Sequence, residues 1–286
     1  MTERPIQRDD LRGDGSPIFV LRRRPDDVPR VRAEHVTHQF AALEYCTAGR
    51  LRMEQPEAWT LEAGEALLVP AGQPHRAIAR AGFESWHLGF CVSCVVADDA
   101  GLLLEPFERV RAGASPVVRL PAARRAFLET LFAELQEATD PARYGESRAV
   151  AHSLLTLVLN EVGRAARAEG SPPAPAGLVA EALRFIERHC RERITLGDVA
   201  AAVGRSPAYV TTALSQATGR SAVEWIVAGR MAEARRMLLH SDEMVDIIAE
   251  RVGYADPTHF IRMFRRAHGT TPAAWRASKR RDSSRR

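Results

Sequence analysis

The sequence predicts a multidomain α+β protein: a small antiparallel sandwich or barrel with two helices, followed by an all-α domain with two helix-turn-helix units. Three observations predict it. Between Glu169 and Gly177, Pro, Gly and small residues displace every large apolar side chain, which reads as a linker of mixed stiffness. Upstream of it, short apolar runs punctuated by Gly and Pro give way to a helical period. Downstream, one residue pattern is written twice. A chain of 286 residues suits two domains, with boundaries at 1–168, 169–177 and 178–276 and a basic tail, 277–286, expected to be disordered.

Composition narrows the function classes. With 45% hydrophobic and 27% charged residues the chain can build cores. Its longest apolar stretches, Leu154 to Leu159 and Phe90 to Ala97, fall short of the roughly 20 residues of a membrane span. Met1 to Asp10 mixes acids with bases and has no apolar core, so it does not read as a secretory signal and a cytoplasmic location is expected. Cys46, Cys91, Cys94 and Cys190 are accordingly expected to be reduced. The net charge of +4 is unevenly spread: Leu178 to Arg286 holds 19 basic and 12 acidic residues, against 21 and 24 in the remainder. A basic module beside a slightly acidic one suits a polyanion binder.

In chain order, the strand-like runs are Leu43 to Tyr45, Leu51 to Met53, Trp59 to Leu61 and Ala66 to Pro70. Phe127, Leu128, Leu131, Phe132 and Leu135 then form one helical stripe, and Val150, Leu154, Leu157, Val158 and Glu161 another. Pro121 suits the first turn of the first helix, and Asp140 with Pro141 its end. These two helices either cover the strands or pair with those of a second subunit.

Beyond the linker, the region matches itself at an offset of 49 and then 50 residues. Ala200, Val203 and Gly204 correspond to Ala249, Val252 and Gly253. After one inserted residue, Ser206, Pro207, Val210, Leu214, Gly219 and Trp225 correspond to Asp256, Pro257, Phe260, Phe264, Gly269 and Trp275. Each match has a physical role. Thr195 with Asp198 caps a first helix that stops at Gly204, where a positive φ costs little. Ser206 or Asp256 caps a second helix that accepts a Pro in its first turn, packs through residues four apart and ends at Gly219 or Gly269. This is the helix-turn-helix plan, whose second helix enters the major groove. A connecting helix, about Ala222 to Leu239, would hold both reading helices on one face of DNA.

Leu178 to Arg276 resembles the AraC/XylS family of bacterial transcription regulators. The second unit carries the resemblance best, at Asp246 to Ala249, Val252 to Tyr254, Asp256, His259, Phe260, Arg262, Phe264 to Arg266, Gly269, Thr271, Pro272, Trp275 and Arg276. The first unit departs from the family pattern at Thr212, where a basic residue is common, and at Leu214, where Phe is usual. The resemblance implies double-stranded DNA as a partner, with base-reading positions at Ala208, Thr211 and Thr212 and at Thr258, His259 and Arg262. Arg262 suits a bidentate contact to guanine, the threonines offer single hydroxyls, and Ala208 can touch a thymine methyl. Arg205, Arg220, Arg265 and Arg266 are assigned to phosphates.

Trp59 to His75 resembles the Gly-turn, apolar-strand, Pro and His sequence of cupin-like barrels, which many AraC-type regulators carry before the DNA-binding domain. The resemblance implies a small-molecule effector, with His35, His38, Tyr45, His75, Trp86 and His87 as candidate contacts and Trp59 as further lining. A homodimer joined through the helices of Pro121 to Arg167, contact with RNA polymerase and action as an activator rather than a repressor are expected, with no catalytic residue, metal or cofactor. The alternative is a cupin metalloenzyme, or a metal or redox sensor, fused to a DNA-binding domain. Against a metal site, His35 and His38 are three apart and would face opposite sides of a strand, and the close His-x-His pair with a following Glu is missing. Cys91 and Cys94 have the same strand geometry and read as buried small apolar residues.

Overall fold

Side-chain alternation along long strands organises the amino-terminal half. The structure, a computed structural model, describes residues 6–7, 17–25, 34–55, 57–92, 100–140, 144–168 and 177–284. β1 (Ile6–Gln7) and β3 (Val36–Thr37) pair in parallel. The main sheet is antiparallel and joins β2 (Ile18–Arg23), β7 (Arg76–Phe90), β4 (Ala41–Gln55), β6 (Glu65–Val69) and β8 (Val117–Arg119) in that order, with β5 (Glu57–Glu62) also on β4. The runs Leu43 to Tyr45 and Leu51 to Met53 both belong to β4, whose pairing with β7 shifts register between Cys46 and Arg50. Residues two apart share a face. Ile18, Val20, Leu43, Tyr45, Trp86 and Leu88 therefore pack beneath the helices, while Phe19, Ala42, Cys46, Leu67, Val69 and Phe83 form a second apolar cluster on the other face.

Three helices cover the first face: α1 (Ala100–Arg111), α2 (Ala122–Ala138) and α3 (Tyr144–Ala168). Pro121 stands at the N-cap of α2, just ahead of its expected place, and Leu128, Leu131, Phe132 and Leu135 are buried as their spacing predicts. The stripe expected on α3 is corrected. Ala151, Leu155, Val158, Leu159 and Val162 are buried, whereas Val150 and Leu157 are 54% and 44% exposed. Leu154 to Leu159 is apolar almost all round, so periodicity alone could not choose its inward face. α1 has no strong sequence signal because Pro106 lies inside it and removes one helical amide.

β7 ends at Phe90, so the straight-strand geometry assumed for Cys91 does not hold. Cys91 is disulfide-bonded, which corrects the expectation of four reduced cysteines; Cys46 and Cys190 are free, and Cys94 lies outside the described residues. Most of the expected linker, 169–176, also lies outside them.

The carboxy-terminal half contains α4 (Leu178–His189), α5 (Leu196–Ala202), α6 (Pro207–Thr218), α7 (Ala222–His240), α8 (Val245–Arg251), α9 (Pro257–His268) and α10 (Pro272–Ser284). Helix α10 continues through residues 277–284, where a disordered tail was expected. Its first turn is fixed by the Ala274 N–H donating to Thr271 Oγ1 at 3.3 Å and by the buried Trp275. Ala222, Trp225 and Ile226 of α7 join the core of the first unit, and Met231, Ala234, Met237 and Leu238 that of the second. One helix thus belongs to both cores.

The two halves touch. Arg111 donates to both carboxylate oxygens of Glu187 at 2.8 and 2.6 Å and to the Ala71 carbonyl at 3.0 Å, and Arg184 pairs with Glu108. Thr37 Oγ1 donates to the Thr218 carbonyl at 3.3 Å. Among the described residues no helix is long and apolar enough to cross a membrane.

Candidate nucleic-acid interface and buried polar cluster

Local chemistry builds both helix-turn-helix units. Thr195 and Asp198 form a reciprocal capping box at α5, and Gly204 follows that helix with φ +62°. Ser206 Oγ accepts the Tyr209 N–H, and the Asp256 carboxylate accepts the N–H groups of Thr258 and His259 at 2.9 and 3.1 Å. Pro207 and Pro257 begin α6 and α9, where a missing amide loses no helical bond. Gly219 and Gly269 end them with φ +76° and +73°. Val210, Leu214, Phe260 and Phe264 are fully buried beneath.

The opposite faces of α6 and α9 are open. Ala208, Thr212, Thr258, His259 and Arg262 are exposed and Thr211 is half-buried. Thr212 Oγ1 donates to the Ala208 carbonyl at 3.0 Å, so its hydroxyl is partly used by its own helix. His259 stands edge-on to Tyr254 with ring centroids 5.4 Å apart. Arg205, Arg265 and Arg266 are exposed. Arg220 is 7% exposed, with its guanidinium 5.8 Å from the Trp225 ring centre.

The expected effector residues divide between the two faces of the sheet. Tyr45 and Trp86 lie beneath the helices and stack on Phe132 with centroids 6.0 and 5.7 Å away. They are core residues, a correction that follows from alternation, since Glu44 pairs with His87 and Tyr45 with Trp86 across the same strands. Trp59 is half-buried and donates from Nε1 to the Gln55 carbonyl. His35 is peripheral, 3.4 Å from Glu54, which also holds Arg76.

His38, His75 and His87 come together with a residue that sequence reasoning missed. Glu44 is buried, accepts from His87 Nδ1 at 2.7 Å and from Arg23 at 3.2 Å, and also accepts from the Ser85 hydroxyl. Burial opposes its ionisation, but Arg23, His87 and Ser85 outweigh that and hold its pKa at about 2. Its signal was a lone carboxylate between Leu43 and Tyr45. His38 Nδ1 donates to the Phe40 carbonyl and His75 Nδ1 to that of Gln73, and the two rings meet edge to face at 4.8 Å. Burial lowers the pKa of all three histidines, that of His75 to about 4, so they stand neutral at pH 7. With each Nδ1 bonded to the protein, each Nε2 is the nitrogen left to accept from a ligand. Among the described residues no group of three or more His, Cys, Asp or Glu side chains is placed to hold a metal ion.

Comparison with known proteins bears on the second half. Residues 199–278 match the family described as "Helix-turn-helix domain". The uncharacterized HTH-type transcriptional regulator YisR of Bacillus subtilis is 31% identical over 37% of this chain and 37% of its own length. The regulatory protein PocR of Salmonella typhimurium is 34% identical over 34% of this chain and 32% of its own. The transcriptional activator NphR of Rhodococcus is 38% identical over 32% of this chain and 28% of its own. The chain therefore spans about a third of the length of these relatives, and its residues 199–278 are similar to the helix-turn-helix domain family.

Proposed function

We propose that the chain is a sequence-specific, AraC-type DNA-binding transcription regulator that acts as an activator. The observation that carries this reading is the pairing of two helix-turn-helix units on one shared helix, α7, whose second helices each have a side-chain N-cap, a Pro in the first turn and a closing glycine, with the outer faces of α6 and α9 left open. Two reading helices held in fixed relation suit successive major-groove turns, roughly 34 Å apart. Arg262 reads guanine, with Thr258 and His259 beside it. Ala208, Thr211 and Thr212 contribute weaker contacts, and Arg205, Arg265 and Arg266 hold phosphates. The names of the three relatives, regulators or an activator, support the reading.

The amino-terminal half, read as a cupin-like barrel, serves as the effector domain, with His38, His75 and His87 offering acceptor nitrogens beside Glu44 and Arg23. The outer side of α2 and α3, where Phe127, Val150 and Leu157 are 40%, 54% and 44% exposed, serves dimerisation. Contact with RNA polymerase completes activation. Footprinting on selected genomic fragments tests the central claim. A defined site of about two helical turns per chain is expected; uniform protection of all sequences would overturn it.

A further inference from the structure

Three segments of the carboxy-terminal half meet at Arg230, where α7 passes from the core of the first unit to that of the second. Arg230 is half-buried and donates from Nε to the Cys190 carbonyl at 2.9 Å. From Nη2 it donates to the carbonyls of Glu192 and Ile194 at 2.8 and 3.3 Å. These oxygens lie at the end of α4 and in the loop leading to α5, where a helix runs out of amide partners and its dipole favours a positive charge. The guanidinium also stands 5.3 Å from the ring centre of Tyr254, in the turn between α8 and α9. The approach is close on both sides. A Cβ on Gly229 would lie 2.8 Å from Cys190 Sγ, and one on Gly253 would lie 2.7 Å from the Glu192 oxygen and 3.0 Å from Arg230 Nε. Tyr254 carries the contact onward: it is 5% exposed, and its ring centre is 5.4 Å from those of His259 and Phe260. One side chain therefore links the loop before α5, in the first unit, to the ring that packs on His259 of α9.

We propose that Arg230 is a positioning residue for DNA reading: by tying the α4–α5 loop to the turn before α9, it fixes the separation of α6 and α9 and so the spacing of the base pairs they read. This rests on the reading of α6 and α9 as the DNA-reading helices. Each unit packs on its own stretch of α7, so without this link the two cores are free to tilt against each other about the helix between them. A lysine does not replace it, because a single ammonium cannot present a planar fork to three carbonyls while lying over a ring.

Spin labels at Gln216→Cys on α6 and Ala267→Cys on α9, both exposed, report the separation of the helices in the full chain without DNA. Singly substituted chains give the background of the native cysteines. The distance distribution should be narrow with Arg230 in place and clearly broader in Arg230→Met, which keeps the apolar stem, with Arg230→Lys between them. Tyr254→Phe, which keeps the ring face, should leave it narrow. Helix content by circular dichroism should be unchanged throughout; where Arg230→Met loses it, Arg230→Lys carries the comparison. On DNA, the footprinted site is compared with versions one base pair longer or shorter between its two turns, a change that moves the far turn by about 3.4 Å and rotates it by about a tenth of a turn. The unaltered chain should prefer one spacing by about tenfold or more, and Arg230→Met should reduce that preference to about threefold or less. Equal loss of affinity at every spacing would mean lost stability alone and would overturn the proposal, as would a distance distribution in Arg230→Met as narrow as with Arg230 in place. If the distances broaden but the unaltered chain itself prefers no spacing, the reading of α6 and α9 as a paired reader is what fails, and the role of Arg230 in DNA reading falls with it.

Discussion

Neutral histidines, His38 buried and His75 and His87 half-buried, lie near an ionised glutamate and make the amino-terminal half sensitive to mild acid. The unfolded chain protonates His75 near its ordinary value of 6.5, whereas the folded chain resists until about 4. Between those values the unfolded state binds more protons, so stability is retained above about 6.5 and lost as pH falls towards 4. Glu44, with a pKa of about 2, stays ionised across that window, and its own contribution is lost only at lower pH. Urea midpoints measured across the window should fall by an amount equivalent to about 1 kcal/mol or more, and His75→Gln should flatten the fall. A pH-independent midpoint would mean that the ring is hydrated. On the DNA side, Arg262→Ala should cost roughly 1 to 3 kcal/mol on the preferred site and relax specificity at one base pair. Binding curves on a set of single-base variants check this, and equal loss on every sequence would make Arg262 a phosphate contact.

At the scale of elements, the two glycines that follow the helices of the second unit separate backbone strain from packing. Gly269 has φ +73° and nothing within 4 Å of the place a Cβ would occupy, so Gly269→Ala should cost about 1 kcal/mol, the left-handed backbone penalty alone. Gly253 has φ +87° and would put its Cβ 2.7 Å from the Glu192 carbonyl oxygen, in the loop between α4 and α5. Gly253→Ala should therefore cost clearly more and loosen the second unit from the first; chemical denaturation of both variants compares them. These elements were legible in sequence because a cap, a Pro in the first turn and a glycine after the last are all local. The sheet was less so. Its runs were visible, but whether Tyr45 or Glu44 faces the helices depends on the register of β4 against β7, which no local pattern states. The polar cluster was half legible for the same reason: histidines attract attention in a sequence, whereas Arg23, Glu44 and Ser85 meet them only across paired strands.

At the scale of the whole molecule, the contact between the halves had no sequence signal, since it joins residues far apart in the chain through single side chains. Its centre is Arg111, with a side chain 5% exposed and bound to Glu187, Glu108 and the Ala71 carbonyl. Burial alone would disfavour its charge, but the two glutamates outweigh burial and raise its pKa. Gly72 lies beside it, with the place of its absent Cβ 2.8 Å from the Trp225 ring and 3.2 Å from Leu183. Trp225 in turn donates to Thr218 Oγ1 at 2.9 Å, at the end of the first reading helix. The segment carrying His75 is thus packed against the residues that set the end of α6. Breaking one side of a buried ion pair leaves the other charge without compensation, typically at about 3 to 5 kcal/mol. Arg111→Ala takes from Glu187 the guanidinium that binds both its oxygens and leaves Glu108 with Arg184 alone, so it should undock the halves before either unfolds. Scanning calorimetry should then show two separate transitions where the unaltered chain shows coupled unfolding. In a double-mutant cycle with Glu187→Ala, the second substitution should cost far less once Arg111 is gone. If Arg111→Ala leaves the thermogram unchanged, the Arg111–Glu187 pair does not hold the halves together, and their docking rests on the other contacts across the junction, Arg184 with Glu108 and Thr37 with the Thr218 carbonyl among them.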